Sequence, residues 1–174
     1  MKTEDEGGMK KILAVAAVVA LLAGCDSKPD APFGLKWGQS MDSVSFIKDG
    51  DCEKKRAETI CTFDNTPPFN EWTYENRLKF KSDKLVEVSS FINAVDDKEY
   101  FCVLLREESK YLTGVIKDGE KLFDAAKSCP DIKVQPDTVR DAFYEKFKTT
   151  YGEARIYLTL DPYVGSVTYS PPEK

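Results

Sequence analysis

Apolar and polar residues alternate in four parts of the chain, a pattern typical of strands that bury one face. The alternation covers residues 33–37, both flanks of the "KSDK" turn at 81–84, and residues 154–160. A hairpin is also predicted in "CEKKRAETIC", where a charged tip separates Cys52 from Cys61. The final "GSVTYS" is expected to pair with 154–160 around a "DPYVG" turn. These segments predict a mostly antiparallel sheet.

Apolar residues spaced by three and four positions predict the helices. The clearest stripes lie in residues 98–112, which Asp96 and Asp97 are suited to cap, and in residues 136–152, where Phe143 and Phe147 are four apart. Shorter helices are predicted at 119–130 and, capped by Ser40, at 41–47. This order of elements predicts an α+β fold, with helices packed on one face of a mostly antiparallel sheet.

An unbroken apolar run from residue 12 to residue 23 follows Lys10 and Lys11. A helix that spans a bilayer needs about 20 apolar residues, so this run is short for that purpose. Its charge, length and small-residue end are typical of a secretory signal. Met9 is the better start, because the three acidic residues in 1–8 do not suit a signal. Residues 1–24 are therefore predicted to be a signal peptide.

The signal ends in Leu22-Ala23-Gly24-Cys25, which resembles the lipobox of bacterial lipoproteins. The resemblance implies that Cys25 is acylated, for example with palmitate, and becomes the new N-terminus at the membrane. An ordinary cleaved signal with a chance cysteine is the alternative. Asp26 resembles the retention signal of enteric lipoproteins, which implies the inner membrane and its periplasmic face.

Residues 25–32 are predicted to be the lipidated N-terminus and a tether, and residues 33–174 a single periplasmic domain. The tether "DSKPDAP" contains two prolines and has no apolar periodicity. Its seven residues reach about 23 Å at about 3.3 Å each. The expected partners are the lipid bilayer, through acylated Cys25, and a protein close to the membrane surface.

Four cysteines remain once Cys25 is assigned to lipid, and an even number in an exported protein indicates disulfides. Three pairings are open. The local elements favour Cys52–Cys61 within the hairpin, and Cys102–Cys129 within an antiparallel helix pair. Structural zinc sites use cysteines two to four residues apart, unlike these, so no metal or cofactor is expected.

The composition narrows the chemistry further. The chain has no histidine, which excludes Ser-His-Asp and Cys-His catalysis, and its net charge of −5 disfavours nucleic-acid binding. Ser45 and Lys48 have the S-x-x-K spacing of penicillin-recognising serine enzymes. The companion motifs Ser82-Asp83-Lys84 and Lys148-Thr149-Thr150 are imperfect, which favours a chance match and a protein that is not an enzyme.

Aromatic residues in predicted loops give the candidate binding site. Phe69, Tyr74 and Tyr163 are candidate partner-binding residues, because aromatic side chains are enriched at interfaces, whereas Trp72 is interpreted as a core residue. "GLKWGQSMDSV" resembles the opening of SmpA/OmlA-type envelope modules, which implies a periplasmic α+β domain. The expected function is an immunity or inhibitor lipoprotein that neutralises an envelope-acting toxin or hydrolase. The alternative is a structural or assembly lipoprotein of the envelope.

Overall fold

Seven antiparallel strands form one sheet in the order β1-β2-β3-β4-β7-β6-β5. The computed structural model describes residues 28–116, Cys129 and residues 142–173. The strands are β1 Asp51–Lys55, β2 Glu58–Phe63, β3 Glu75–Lys81, β4 Lys84–Val95, β5 Ala142–Thr149, β6 Gly152–Leu160 and β7 Tyr163–Ser170. One α-helix, α1 Lys98–Thr113, is found in these ranges. No helix within the described residues is long and apolar enough to cross a membrane.

The antiparallel order gives the sheet two distinct ends. The β1–β2, β3–β4 and β5–β6 turns lie together at one end, which we call the turn end. The β2–β3 loop at 64–74, the β4–α1 connection and the β6–β7 turn lie at the opposite end, which we call the loop end. Helix α1 runs back from the loop end, and Thr150 of the β5–β6 turn donates its backbone N–H to Val115 just beyond it.

The three predicted hairpins are confirmed. Ser82 and Asp83 form the two-residue β3–β4 turn with φ values of 49° and 60°, the left-handed region that tight hairpin turns require. The β6–β7 turn is shorter than predicted, because only Asp161 and Pro162 separate the two strands.

The helix predicted over 136–152 is wrong where the structure describes it, since residues 142–149 are strand β5. Phe147 pairs with Ala154 of β6, and Gly152 begins that strand with a φ of 126° instead of ending a helix. A spacing of four residues is a multiple of two as well as close to one helical turn. Residues 143 and 147 therefore share a face in either structure. Residues 136–141 lie outside the described part of the chain.

The strand predicted at 33–37 is also wrong. Residues Pro32–Gly34 form a 3-10 turn in which Phe33 has a φ of 59°, and the following backbone bonds to the turn end of the sheet. Leu35 is buried against the sheet, so the apolar alternation reflects packing and not strand pairing. The helix predicted at 41–47 is instead two 3-10 turns, Met41–Ser43 and Ile47–Asp49, and Ser40 makes no side-chain cap.

Helix α1 is confirmed with its predicted cap, because the Asp97 side chain accepts a hydrogen bond from the Tyr100 backbone N–H at 2.9 Å. Phe101 and Leu104 lie on its buried stripe and share a cluster with Ile92 of β4 and Leu158 of β6. The second predicted helix, 119–130, lies outside the described residues except for Cys129.

Both predicted disulfides are present. Cys52 and Cys61 are directly opposite in β1 and β2, so their bridge closes the first hairpin. Cys102, in the first turns of α1, is joined to Cys129. Each bridge restricts the unfolded chain by closing a loop. For loops as short as these two, that restriction corresponds to about 3 kcal/mol of stability per bridge.

The main core lies on the sheet face that also meets the N-terminal segment. Ala31, Leu35 and Val44 from that segment pack with strand residues, and the buried strand members include Leu78, Phe80, Val88, Ile156, Val167 and Tyr169. Packing therefore begins at Ala31, which is 0% exposed and lies within the stretch predicted to be a tether. The opposite face carries ion pairs such as Arg155–Glu87 at 2.9 Å.

Candidate partner-binding site

Large apolar and aromatic side chains are exposed at the loop end of the sheet. Tyr74 is 63% exposed, Val95 58% and Tyr100 54%, and they lie respectively at the start of β3, the end of β4 and the first turn of α1. Tyr163, opposite Val95 in the register of β7 with β4, is half-buried beside them. We call these four residues the loop-end surface. Tyrosine is one of the residue types enriched among the side chains that contribute most to the binding energy of protein interfaces.

The segments that carry the loop-end surface also carry exposed carboxylates. Within residues 64–74, 96–99 and 161, one lysine, Lys98, stands against a set of acidic residues: Asp64, Glu71, Asp96, Asp97, Glu99 and Asp161. All of them are exposed. The field at this end of the molecule is therefore negative, which favours partners with positive surface charge.

A buried polar network fixes the β2–β3 loop beneath this surface. Ser90 donates to the Asn76 side-chain oxygen at 2.8 Å, and Asn76 donates to Thr73 at 2.8 Å. Thr73 in turn donates its hydroxyl to the Asn70 carbonyl at 2.7 Å. Buried polar groups that are satisfied in this way hold one geometry, so the loop that carries Tyr74 is preorganised.

Glu108 of α1 joins the helix to the same loop. Its carboxylate accepts a hydrogen bond from the Trp72 indole N–H at 2.7 Å, and its side chain is only 4% exposed. Burial raises the pKa of Glu108 above its ordinary value of 4.5, and the bond from Trp72 offsets part of that effect. The interpretation of Trp72 as a packing residue agrees with this contact, because Trp72 packs against the cluster around Phe101.

The three residues predicted to bind a partner have different surroundings. Tyr74 is exposed, as a binding residue must be, and its backbone N–H is held by the Phe91 carbonyl at 2.6 Å. Tyr163 is half-buried, with its ring 5.6 Å from that of Phe101. The prediction that Phe69 binds a partner does not agree with its position. It is 7% exposed at the centre of an aromatic cluster, 5.1 Å from Phe33 and 5.4 Å from Phe46, and therefore offers no surface to a partner.

Sequence reasoning missed Val95 and Tyr100. Tyr100 lies three residues after the predicted cap at Asp97, in the first turn of the helix and away from the buried stripe. That signal was present, since Tyr100 is out of phase with Phe101 and Leu104. Val95 has no such signal, because its exposure depends on where β4 ends.

Lys48 lies in the 3-10 turn Ile47–Asp49 before β1, Ser45 lies just before that turn, and both are exposed. Ser45 lines a shallow groove of about 390 Å³ with Phe33, Phe46 and Pro67. No hydrogen bond joins Ser45 to Lys48 in the part of the chain that the structure describes. The companion motifs lie in the β3–β4 turn and at the end of β5, about 14 Å apart across three strand spacings.

A small cavity lies between α1 and the sheet, lined by Ser90, Glu108, Ser109, Leu158 and Gly165 among others. Its volume is about 20 Å³. Sites for small organic ligands measure about 300–1,000 Å³, so this cavity is a packing feature.

Comparison with known proteins adds little to this geometry. No protein-family profile matches the chain, and no solved structure matches it. The chain is 26% identical over 91 residues to the uncharacterized protein MJ0830 of Methanocaldococcus jannaschii. That similarity covers 46% of this chain and 36% of the archaeal protein, and MJ0830 carries no described activity to compare.

Proposed function

We propose that this protein is a lipid-anchored protein of the bacterial envelope that acts by binding another protein at its loop-end surface. In the proposal, Cys25 carries the lipid and the domain faces the periplasm at the inner membrane. The partner is a toxin or hydrolase that acts in the envelope, so the function is immunity or inhibition. Helical cover of one sheet face belongs to the same proposal.

The observation that supports the proposal best is the exposure of Tyr74, Val95 and Tyr100 at an end of the sheet that also carries exposed carboxylates. Aromatic anchors with an acidic rim match a basic protein partner. The preorganised β2–β3 loop supports rigid recognition, because little ordering entropy is lost on binding. A stapled, rigid domain with no histidine suits stoichiometric binding better than turnover.

The test begins with the proteins encoded beside this one. An immunity protein is expected to bind a toxin encoded next to it, and its loss is expected to harm cells only when that toxin is present. Binding is measured between the purified lipoprotein and that toxin. We expect Tyr100→Ala to weaken the affinity at least about tenfold, as for anchor residues at other interfaces.

Tyr144→Ala is the matched control. Tyr144 is 58% exposed, close to the value for Tyr100, but lies on the outermost strand β5. Equal losses in the two variants would contradict the proposed surface. An envelope defect on deletion without any toxin would instead support the structural or assembly role. Hydrolysis of a β-lactam reporter that Ser45→Ala abolished would contradict a function by binding alone.

A further inference from the structure

The charges of the sheet are segregated toward its two ends. Residues 54–57 and 81–84, the β1–β2 and β3–β4 turns, contain Lys54, Lys55, Arg56, Lys81 and Lys84 against one acidic residue, Asp83. All five basic side chains are exposed. Lys148, also exposed, adds to them at the end of β5. The tips of the first two hairpins are therefore basic in a chain whose net charge is −5.

The two basic turns form one continuous surface. The Ser82 backbone N–H donates to the Ala57 carbonyl at 3.0 Å, which joins the tips of the two hairpins. Lys55 and Glu58, Glu58 and Lys81, and Lys81 and Lys84 are successive cross-strand pairs on the last rung of the sheet. Glu58 is engaged by Lys79 at 3.2 Å, and the Asp83 carboxylate accepts the Met41 backbone N–H at 3.1 Å. Much of the local negative charge is thus already bound, and Lys55 is itself paired with Glu53 at 2.9 Å.

The N-terminal segment leaves the domain at this same end. The Asp30 carboxylate accepts the Trp37 backbone N–H at 2.8 Å, and the Trp37 indole donates to the Tyr151 carbonyl in the β5–β6 turn at 2.6 Å. Gly38 donates to the Leu85 carbonyl next to the β3–β4 turn at 2.9 Å. Residues 30–38 are therefore fixed to the turn end.

Residues 26–29 are then what is left of the predicted tether. Four residues reach about 13 Å at about 3.3 Å each. This is shorter than the seven residues that the sequence indicates, because Asp30 is bonded to Trp37 and Ala31 and Pro32 are buried. A domain held at Cys25 must keep its turn end within that distance of the bilayer surface. Electrostatic attraction to a membrane acts over about one Debye length, roughly 10 Å at 0.1 M salt.

We infer that the basic turn end docks on anionic phospholipid headgroups and orients the domain with its acidic loop end away from the membrane. This inference rests on the proposed lipid anchor at Cys25 and adds the surface that faces the bilayer. Clusters of four to eight lysine and arginine residues close to a membrane are typical of surfaces that bind anionic lipid. The acidic loop end would be repelled by the same surface, so both ends favour one orientation.

The experiment measures lysine acetylation by mass spectrometry on the lipidated protein in phosphatidylcholine vesicles, with and without phosphatidylglycerol. We expect Lys55, Lys81 and Lys84 to react at least about threefold more slowly when phosphatidylglycerol is present, and high salt to remove the difference. Lys98, at the loop end, should react equally on both vesicles. Lys54→Glu combined with Lys84→Glu should remove the protection of Lys55 and Lys81, whereas Lys98→Glu combined with Arg106→Glu should leave it intact.

Equal reactivity of the turn-end lysines on the two vesicles would overturn the inference. So would protection that depends on protein density and not on phosphatidylglycerol, because the acidic end of a second copy would then be the occupant. Retention on washed phosphatidylcholine vesicles is scored separately. Protein that is retained but shows no lysine protection refutes the docking surface alone, whereas protein that washes off refutes the anchor.

Discussion

Glu108 places a carboxyl group in the interior between α1 and the β2–β3 loop. Its Oε2 accepts the Trp72 indole N–H, and the nearby Asn70 side chain also lowers the pKa of this carboxyl, but burial is the larger effect and raises it. Tyr111 and Tyr169 interact electrostatically with the same carboxyl, and burial raises the pKa of both phenols as well. The environment therefore favours the protonated acid.

The pH dependence that follows has a definite sign. The folded-state pKa of Glu108 lies above its ordinary value of 4.5, so folding favours the protonated form. The stability that this gives is fully present below about pH 4.5 and is lost as the pH rises through the folded-state pKa. Glu108 thus opposes folding at neutral and alkaline pH.

We predict that Glu108→Gln stabilises the protein above that range. The amide keeps an oxygen for the Trp72 N–H and cannot ionise, so the free energy of unfolding should rise by about 1–3 kcal/mol at pH 8 and change little at pH 4. Urea unfolding across this pH range measures it. Glu107→Gln is the control, because Glu107 is a neighbour with a partly exposed side chain paired to Lys110. Equal gains in both variants, or a loss at every pH, would contradict the assignment.

Individual binding residues were only partly predictable from the sequence. Tyr74 and Phe69 flank the same loop and look alike as aromatic residues among prolines and polar residues. Their different burial is decided by Phe33, Phe46 and Phe63, which surround Phe69. Two of those contacts come from the N-terminal segment, whose path across the sheet has no local signal in the sequence.

At the level of elements, hairpins and α1 were predictable because short-range features define them. Charged tips, two-residue turns and a capping aspartate specify them within a few residues. Strand β5 was not predictable in this way. Phe143 and Phe147 fit the two-residue period of a strand as well as the period of a helix, and Gly152 fits a helix end as well as a turn. Pairing with β6, which is a tertiary contact, decides between the two.

Gly152 is expected to be required for the β5–β6 hairpin. Its φ is 126°, and an added Cβ would collide with the Ser170 carbonyl oxygen and lie 2.7 Å from the Pro172 nitrogen. Both the strain and the clash oppose a side chain, so Gly152→Ala should lower the free energy of unfolding by more than about 2 kcal/mol. Urea unfolding followed by circular dichroism measures the loss.

Gly38→Ala separates the two causes. Gly38 also has a positive φ, 74°, but an added Cβ there would meet nothing within 4 Å. This variant should show the conformational cost alone, about 1 kcal/mol. Equal losses at the two glycines would mean that the approach of residues 170–172 to Gly152 does not constrain the hairpin.

At the scale of the whole molecule, the antiparallel order sorts the charged residues by end. The β1–β2, β3–β4 and β5–β6 hairpins place lysines and Arg56 at the turn end. The remaining connections place Asp96, Asp97 and Asp161 at the loop end. The composition does not reveal this arrangement, because a net charge of −5 does not say how the charges are distributed between the two ends of the sheet. The charges were readable from the sequence, but their grouping required the strand order.

Tether length provides a prediction at this scale. Inserting ten glycine and serine residues between Lys28 and Pro29 lengthens the predicted tether from four residues to fourteen, at exposed residues. The effective concentration of the turn end at the bilayer should fall about sixfold, since it varies as roughly the −3/2 power of linker length. On vesicles with phosphatidylglycerol, the protection of Lys81 and Lys84 should weaken accordingly, while Lys98 should stay unchanged. The same insertion combined with Lys54→Glu and Lys84→Glu is the control, in which the longer tether should alter nothing further. If the insertion left the protection of the turn end undiminished, the short tether would not be what holds this surface against the membrane.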